Sequence, residues 1–291
     1  MSRILITGGS GFIGTHTVNH ALSEGYDVRV LDLVPPQSSD AEYIQGDIRD
    51  QEKCDYASNK VDYVVHLAAM ARSGPSTGVW EDCVSTNVVG TANMIQSAIK
   101  FDVKRFVYAG SSTYYGNQLG PQTTDYAPNF LNFYGATKGF GEELVRQAHV
   151  HLSLGAVILR YFNVYGAGQP SDGNYGLVMG IFSEASQQNQ RVIIDGDGSQ
   201  SRDFIHVNDV SKANLAAINC GVPGSTYNVG TGVKTSISDL AKLFNLKFDF
   251  GPSRIGDAVE TWADISASEN ELNWSPTISL RDGVEMLRGR L

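Results

Sequence analysis

The sequence predicts an α/β protein: a doubly wound parallel sheet joined to a smaller C-terminal α/β lobe. Two observations carry this. Short apolar runs alternate with helix-patterned stretches as far as Arg160, and strands that are apolar throughout belong to a parallel sheet covered on both faces. After Arg160 the pattern breaks. Residues 163–176 are rich in Gly, Asn, Ser and Pro, which reads as a long functional loop, and mixed shorter elements follow.

In chain order, strands are predicted at Ile4–Thr7, Asp27–Leu31, Glu42–Gln45, Val61–Leu67, Arg105–Ala109 and Ala156–Arg160. Helices are predicted at Phe12–Ser23, Val79–Lys100 and Tyr134–Leu152. In the second part, a helix is expected near 177–188, a strand near 191–194, a turn at Asp195–Gly198 and a strand end at Tyr227–Gly230. There is no repeat, no low-complexity segment and no exposed linker between the two parts.

Bulk composition narrows the function. With 291 residues, 42% of them hydrophobic and 18% charged, the chain is long enough for one large domain with a partner lobe. A net charge of −9 disfavours broad attraction to nucleic acid or anionic lipid. No run of apolar residues is long enough to span a membrane, and the N-terminus enters a strand pattern directly with no signal peptide. Cys54, Cys83 and Cys220 are too scattered for a disulfide framework or a zinc site. The expectation is a cytoplasmic protein with reduced thiols, no metal, no nucleic-acid partner and no membrane partner.

Gly8-Gly9-Ser10-Gly11-Phe12-Ile13-Gly14 follows the first strand and opens the first helix. Glycines there allow a tight turn and close backbone approach to a pyrophosphate. The helix N-terminus adds free N–H groups and a positive dipole end. Asp32 ends the second strand, where a carboxylate can accept from both ribose hydroxyls and repel a 2′-phosphate; this selects NAD over NADP. Asp47 could reach the adenine amino group. His66-Leu67-Ala68-Ala69 closes the fourth strand with small residues against which a cofactor can lie. The fold is therefore expected to be of the Rossmann type. Residues 1–165 would form the NAD-binding domain, rejoined by the chain around 203–232, and residues 166–291 mainly a substrate-binding lobe.

Tyr134-Gly135-Ala136-Thr137-Lys138 sets a phenol and an ammonium on one helix face. The ammonium should lower the phenol pKa and let Tyr134 accept a proton near neutral pH. Ser111-Ser112-Thr113 ends the fifth strand upstream, the end where open α/β sheets place their sites. Tyr56 and Lys60 repeat the same spacing without such a strand end and read as a decoy. Glu142 and Glu143 read as a solvated helix face. His149 and His151 lack a third ligand and read as structural or surface residues, and His206 reads as a packing histidine.

These residues resemble the extended short-chain dehydrogenase/reductase family, specifically its nucleotide-sugar epimerases and dehydratases. The resemblance runs through Gly8–Gly14, His66–Ala69, Thr86-Asn87 with Gly90-Thr91, Ser111–Gly116, Tyr134–Lys138, Arg160–Gly166, Arg202–Val207, Tyr227–Gly232 and Arg254–Asp257. It implies catalysis by Ser111, Tyr134 and Lys138. It implies cofactor contacts from Gly8, Gly11, Phe12, Ile13, Gly14, Asp32, Asp47, Ile48, Leu67, Ala68, Ala69, Asn87, Tyr134, Lys138 and Tyr161. Substrate contacts would come from Ser111, Ser112, Thr113, Tyr134, Asn163, Val192, Arg202, Arg254, Asp257 and Thr261. Arginines suit a diphosphate through bidentate geometry.

Dehydratases of the family carry Asp-Glu after the catalytic Thr; here Ser112-Thr113 stand instead. The chain therefore looks most like the UDP-glucose 4-epimerases, whose implied reaction inverts sugar C4 through a 4-keto intermediate. UDP-glucose and UDP-galactose are the implied substrates. The small Thr261 suggests that N-acetylhexosamine forms also fit, and hexuronate forms stay open. Departures include Gly176 in place of an Asn, and Ala71 in place of a Lys, with Arg72 adjacent. The alternatives are a reductase or dehydratase acting on a nucleotide sugar, and an NAD(H)-sensing protein on the same fold. Family dimers pair the helices corresponding to Val79–Lys100 and Tyr134–Leu152, so a homodimer is expected.

Overall fold

A computed structural model describes residues 1–71, 80–170, 177–253 and 258–289. The chain opens with β1 (Arg3–Thr7), α1 (Phe12–Ser23), β2 (Asp27–Asp32), β3 (Glu42–Gln45), α2 (Gln51–Ser58) and β4 (Tyr63–His66). It continues through α3 (Trp80–Val84), a π-helical segment (Ser85–Gly90), α4 (Thr91–Lys100), β5 (Arg105–Ser111), α5 (Phe133–Leu152) and β6 (Ala156–Tyr161). Beyond these come β7 (Asn163–Tyr165), α6 (Val178–Gln187), β8 (Val192–Asp195), β9 (Ser201–His206), α7 (Val207–Asn219) and β10 (Thr226–Val229). The last elements are β11 (Lys234–Ser236), α8 (Ile237–Leu243), β12 (Phe248–Gly251), β13 (Glu260–Thr261), α9 (Ser266–Leu272) and α10 (Leu280–Leu287).

Seven strands form one parallel sheet in the order β10-β6-β5-β4-β1-β2-β3. The period-2 geometry of a strand splits its apolar side chains between two faces. Ile4 and Ile6 of β1 pack with Val18 and Ala21 of α1 and with Val210 and Ala213 of α7. Leu5 points the other way, into a core with Cys54 of α2, Met94 of α4 and Val145 of α5. Both faces are thus covered, which explains why these strands read as apolar throughout. β1 and β4 are neighbours from which the chain winds in opposite directions, so a crevice opens beyond their carboxyl ends.

A second core joins Tyr165, Met179, Phe182, Ile194, Phe204, Ile237, Leu240 and Phe244. It lies beside two small sheets, β11-β9-β13 with β7 on β9, and β12-β8. This lobe covers one end of the crevice.

Three expectations need correction here. The helix predicted over Val79–Lys100 is broken: α3 gives way to the π segment before α4 begins, and Val79 lies outside the described residues. The π segment turns Asn87 inward, where its side chain bonds Met70 and Thr137. A short helix, α2, occupies Gln51–Ser58, where none was predicted; Asp50 caps it by accepting from Glu52 N and Lys53 N. Glu142 is not solvated. It is 2% exposed and gripped by Arg160 at 2.6 and 3.1 Å and by Arg146 at 2.7 Å. The Arg160 guanidinium in turn stacks 3.5 Å from the Tyr114 ring centre. Glu142→Gln would leave a buried guanidinium without its countercharge, and denaturant titration should show a loss of about 3–5 kcal/mol.

Among the described residues no group of His, Cys, Asp or Glu could hold a metal ion. His149 Nδ1 instead meets the Leu154 carbonyl. His206 packs edge-on against Tyr165 and also caps α7, accepting from Asn208 N.

Candidate active site

A cleft of about 900 Å³ lies over the crevice between the sheet and the second lobe. Its floor begins at the end of β1. Gly8 adopts φ +69°, and a Cβ there would lie 2.7 Å from Ala68 N. A Cβ on Gly14 would overlap the Gly8 carbonyl oxygen. These two glycines let the turn, the helix and the β4 loop close on one another. Gly11 is the N-cap of α1, makes no side-chain cap and is followed by no acid in the first turn. The helix therefore presents its N-terminal N–H groups to the cleft, and Gly8, Gly11, Phe12, Ile13 and Gly14 all line it.

Asp32 lines the cleft at the end of β2. Its carboxylate accepts from Ser10 N at 2.9 Å and Val34 N at 3.3 Å, so its orientation is set by the glycine turn itself. Asp47 and Ile48 line the same end. The Asp47 carboxylate already accepts two bonds from the Arg49 side chain, at 2.9 and 2.6 Å, and this partner holds its pKa below the ordinary value. Leu67, Ala68 and Ala69 form the small-residue wall. An uncapped helix end, a fixed carboxylate at β2 and an alanine wall together fit a dinucleotide.

The reactive end stands over β5 and β6. Ser111, Ser112, Thr113, Tyr134, Lys138 and Tyr161 all line the cleft. Asn132 caps α5 by accepting from Gly135 N at 2.8 Å, which places Tyr134 in the first helical turn. Ser111 Oγ accepts from Thr113 Oγ1 at 2.8 Å and Thr113 N at 3.3 Å, which leaves its own proton as the outgoing donor.

The electrostatics reverse one expectation. Burial pushes the Tyr134 phenol up to about 12, with hydrogen bonding to Ser111 working the other way. Lys138 is not what governs it. Burial instead pulls Lys138 down to about 7, with Glu142 opposing. The spacing showed a cation near a phenol; it could not show that burial would outweigh their attraction. Lys138 Nζ sits 4.3 Å above the Tyr108 ring, and Tyr108 donates to the Lys138 carbonyl at 3.1 Å.

This lowered value predicts a pH-dependent stability cost. Folding penalises protonated Lys138 in full below about pH 7, and the penalty fades as pH rises toward 10.5, the ordinary value. Lys138→Met should therefore stabilise the cofactor-free chain near pH 6 and lose that advantage near pH 10, as read by denaturant melts at the two pH values.

Asn163, Arg202 and Thr261 line the lobe side of the cleft. Thr261 is buried there, and its hydroxyl has no hydrogen-bond partner. Two expected contacts are absent from the lining. Asn87 is buried one layer below, and Val192 turns into the lobe core. Its neighbours Ile193 and Ile194 line the cleft instead. Arg254 and Asp257 lie outside the described residues, as do Arg72 and Gly176. Gln200 also lines the cleft and donates to the Asp195 carbonyl at 2.7 Å, although no motif had marked it. Tyr56 is 67% exposed on α2, away from the cleft.

Residues 4–230 match the family model for the NAD dependent epimerase/dehydratase family. The chain belongs to this family. Its cofactor is accordingly NAD. A provisionally assigned UDP-glucose 4-epimerase of Methanocaldococcus jannaschii is 35% identical, over 97% of this chain and 96% of its own length. A UDP-glucose 4-epimerase of Thermotoga maritima, solved with UDP-glucose, superposes with a TM-score of 0.93 at 30% identity, over 99% of this chain and 98% of that one. A UDP-glucuronic acid 4-epimerase of Bacillus cereus, solved with UDP-glucuronic acid and NAD, gives 0.91 at 28% identity, with 99% and 98% covered. In this family member no described helix is long and apolar enough to cross a membrane.

Proposed function

We propose that this chain is an NAD-dependent 4-epimerase of UDP-hexoses, inverting C4 of UDP-glucose and UDP-galactose. The carrying observation is the placement of charge. Ser111, Tyr134 and Lys138 stand together at the β5 end, and the cleft-lining carboxylates among the described residues are Asp32, Asp47 and Asp195, none of them on that strand end. Proton exchange at one hydroxyl is provided for; the acid pair that water elimination needs is not.

In the mechanism, Ser111 holds the sugar O4 and Tyr134 takes its proton. Lys138, one turn along α5, balances the charge that forms on the phenol. When bound, NAD would supply hydride acceptance and return, and its positive charge in the oxidised form. Gly8–Gly14 and Asp32 hold the cofactor's diphosphate and ribose, with the alanine wall behind it. Arg202 and Asn163 grip the substrate diphosphate while the sugar turns over within the cleft. Tyr134 then returns the proton to O4, so the cycle closes with no net redox change.

Thr261 puts a small side chain on the sugar side of the cleft, which supports acceptance of N-acetylhexosamines. The test is incubation of the purified protein with UDP-, dTDP- and GDP-sugars without added cofactor. C4-inverted UDP-hexoses are expected. Net consumption of added NAD(P)H would point to a reductase, and robust UDP-glucose turnover without any UDP-N-acetylglucosamine turnover would remove the Thr261 reading.

The working form is a homodimer. α3, the π segment and α4 pack beside α5, and together they expose Trp80, Val84, Val89, Phe140 and Leu144, with Phe140 60% exposed. An apolar face of this kind marks an interface. Sedimentation should show twice the 31.5 kDa chain mass, and Phe140→Glu with Leu144→Glu should give a monomer.

A further inference from the structure

Beneath the alanine wall runs a closed line of buried hydrogen bonds. Thr7 and His66 are register partners on β1 and β4, the two strands that flank the crevice. Ala68 N donates to Thr7 Oγ1 at 3.2 Å, and Thr7 Oγ1 lies 2.7 Å from His66 Nδ1. On the other side of the ring, His66 Nε2 lies 3.1 Å from Thr91 Oγ1, which donates to the Asn87 carbonyl at 2.7 Å. The Asn87 side chain accepts from Met70 N at 2.7 Å and donates to Thr137 Oγ1 at 3.0 Å. Thr137 Oγ1 donates to the carbonyl of Tyr134 at 2.9 Å.

One direction satisfies every contact in this line. With the single Thr91 hydroxyl proton on the Asn87 carbonyl, Thr91 Oγ1 accepts from His66 Nε2–H. A neutral ring then has a bare Nδ1, which accepts the Thr7 hydroxyl proton, while Thr7 Oγ1 accepts from Ala68. His66 is 1% exposed, so a neutral ring is the only form the site tolerates cheaply. Burial accordingly pulls its pKa down to about 3.

We propose that His66, locked as the Nε2–H tautomer, is a positioning residue that staples the β1/β4 crevice. It sets how the alanine wall meets NAD and how α5 presents Tyr134 and Lys138. The line starts at Ala68, against which Gly8 closes, and ends at Tyr134, so one ring ties the cofactor wall to the reactive end. This inference rests on the NAD-binding reading above.

Nitrogen-15 NMR of histidine-labelled full chain tests the tautomer. His66 should show a bare Nδ1 and a protonated Nε2, unchanged from about pH 5 to 8. A protonated Nδ1, or titration in that range, overturns the proposal. NAD release, followed by dialysis of holoenzyme, tests the consequence. Thr7→Val and Thr91→Val should each release NAD roughly tenfold faster, with lowered but cooperative thermal melts of the cofactor-free chains. Thr7→Ser and Thr91→Ser, which keep the hydroxyl, should release it at the wild-type rate. Equal loss in the Ser and Val variants would assign the effect to packing and overturn the staple, as would unchanged release in the Val variants. If the wild-type chain bound no NAD, the functional reading would fail while the tautomer measurement still stood.

Discussion

Tyr134→Phe should lower C4 epimerisation by about 10²–10⁴-fold, the usual worth of a positioned proton-transfer group. The ring lies in the first turn of α5, and burial raises the pKa of its hydroxyl. Phenylalanine keeps the ring and its packing but removes the oxygen that faces Ser111. NAD content and UDP binding should survive, because Gly8–Gly14, Asp32 and Arg202 line other parts of the cleft. The loss belongs in kcat, with KM nearly unchanged, since the removed interaction acts on the reacting hydroxyl and not on the nucleotide. Steady-state kinetics with UDP-galactose, beside cofactor content measured after denaturation, separates these terms. Turnover at the wild-type level would mean that another group takes the proton.

Gly14→Ala should be as damaging by a different route. A Cβ at that position would overlap the Gly8 carbonyl oxygen and crowd Gly9 Cα, both backbone atoms that cannot swing aside. The turn must open, α1 must withdraw from the sheet, and the N–H groups that face the diphosphate move with it. The purified variant should carry no NAD and show no turnover. Gly25→Ala is the matched control. Gly25 sits at φ +80° with nothing within 4 Å of its would-be Cβ, so only backbone strain of about 1–2 kcal/mol is expected, with NAD content intact.

The parts of this fold legible in the sequence are those decided locally. α1 spans Phe12–Ser23 as its pattern predicts, because a glycine turn precedes it and apolar spacing runs through it. β3 matches at both ends. The glycine turn and Asp32 could be placed because strand, turn and helix follow one another directly. What the sequence hid depends on distant partners. Glu142 looks like any surface glutamate until Arg160, eighteen positions on, arrives from β6 to pair with it. Val192, Ile193 and Ile194 are chemically alike, and only the packing of the folded lobe decides which of them line the cleft. The helix around Asn87 reads as continuous because its residues carry no mark of the π turn. The spacing of Tyr134 and Lys138 was legible, but the burial that shifts their pKa values comes from the whole surrounding fold.

In the proposed cycle one bound NAD takes the hydrogen from sugar C4 and gives it back to the same carbon. UDP-glucose carrying deuterium at C4, turned over without added cofactor and analysed by mass spectrometry and NMR, tests this directly. The account predicts UDP-galactose with the deuterium still at C4, an equilibrium mixture of the two sugars, and no net change in cofactor. UDP-galactose that has lost the label to water, or label accumulating on released NADH, would contradict it.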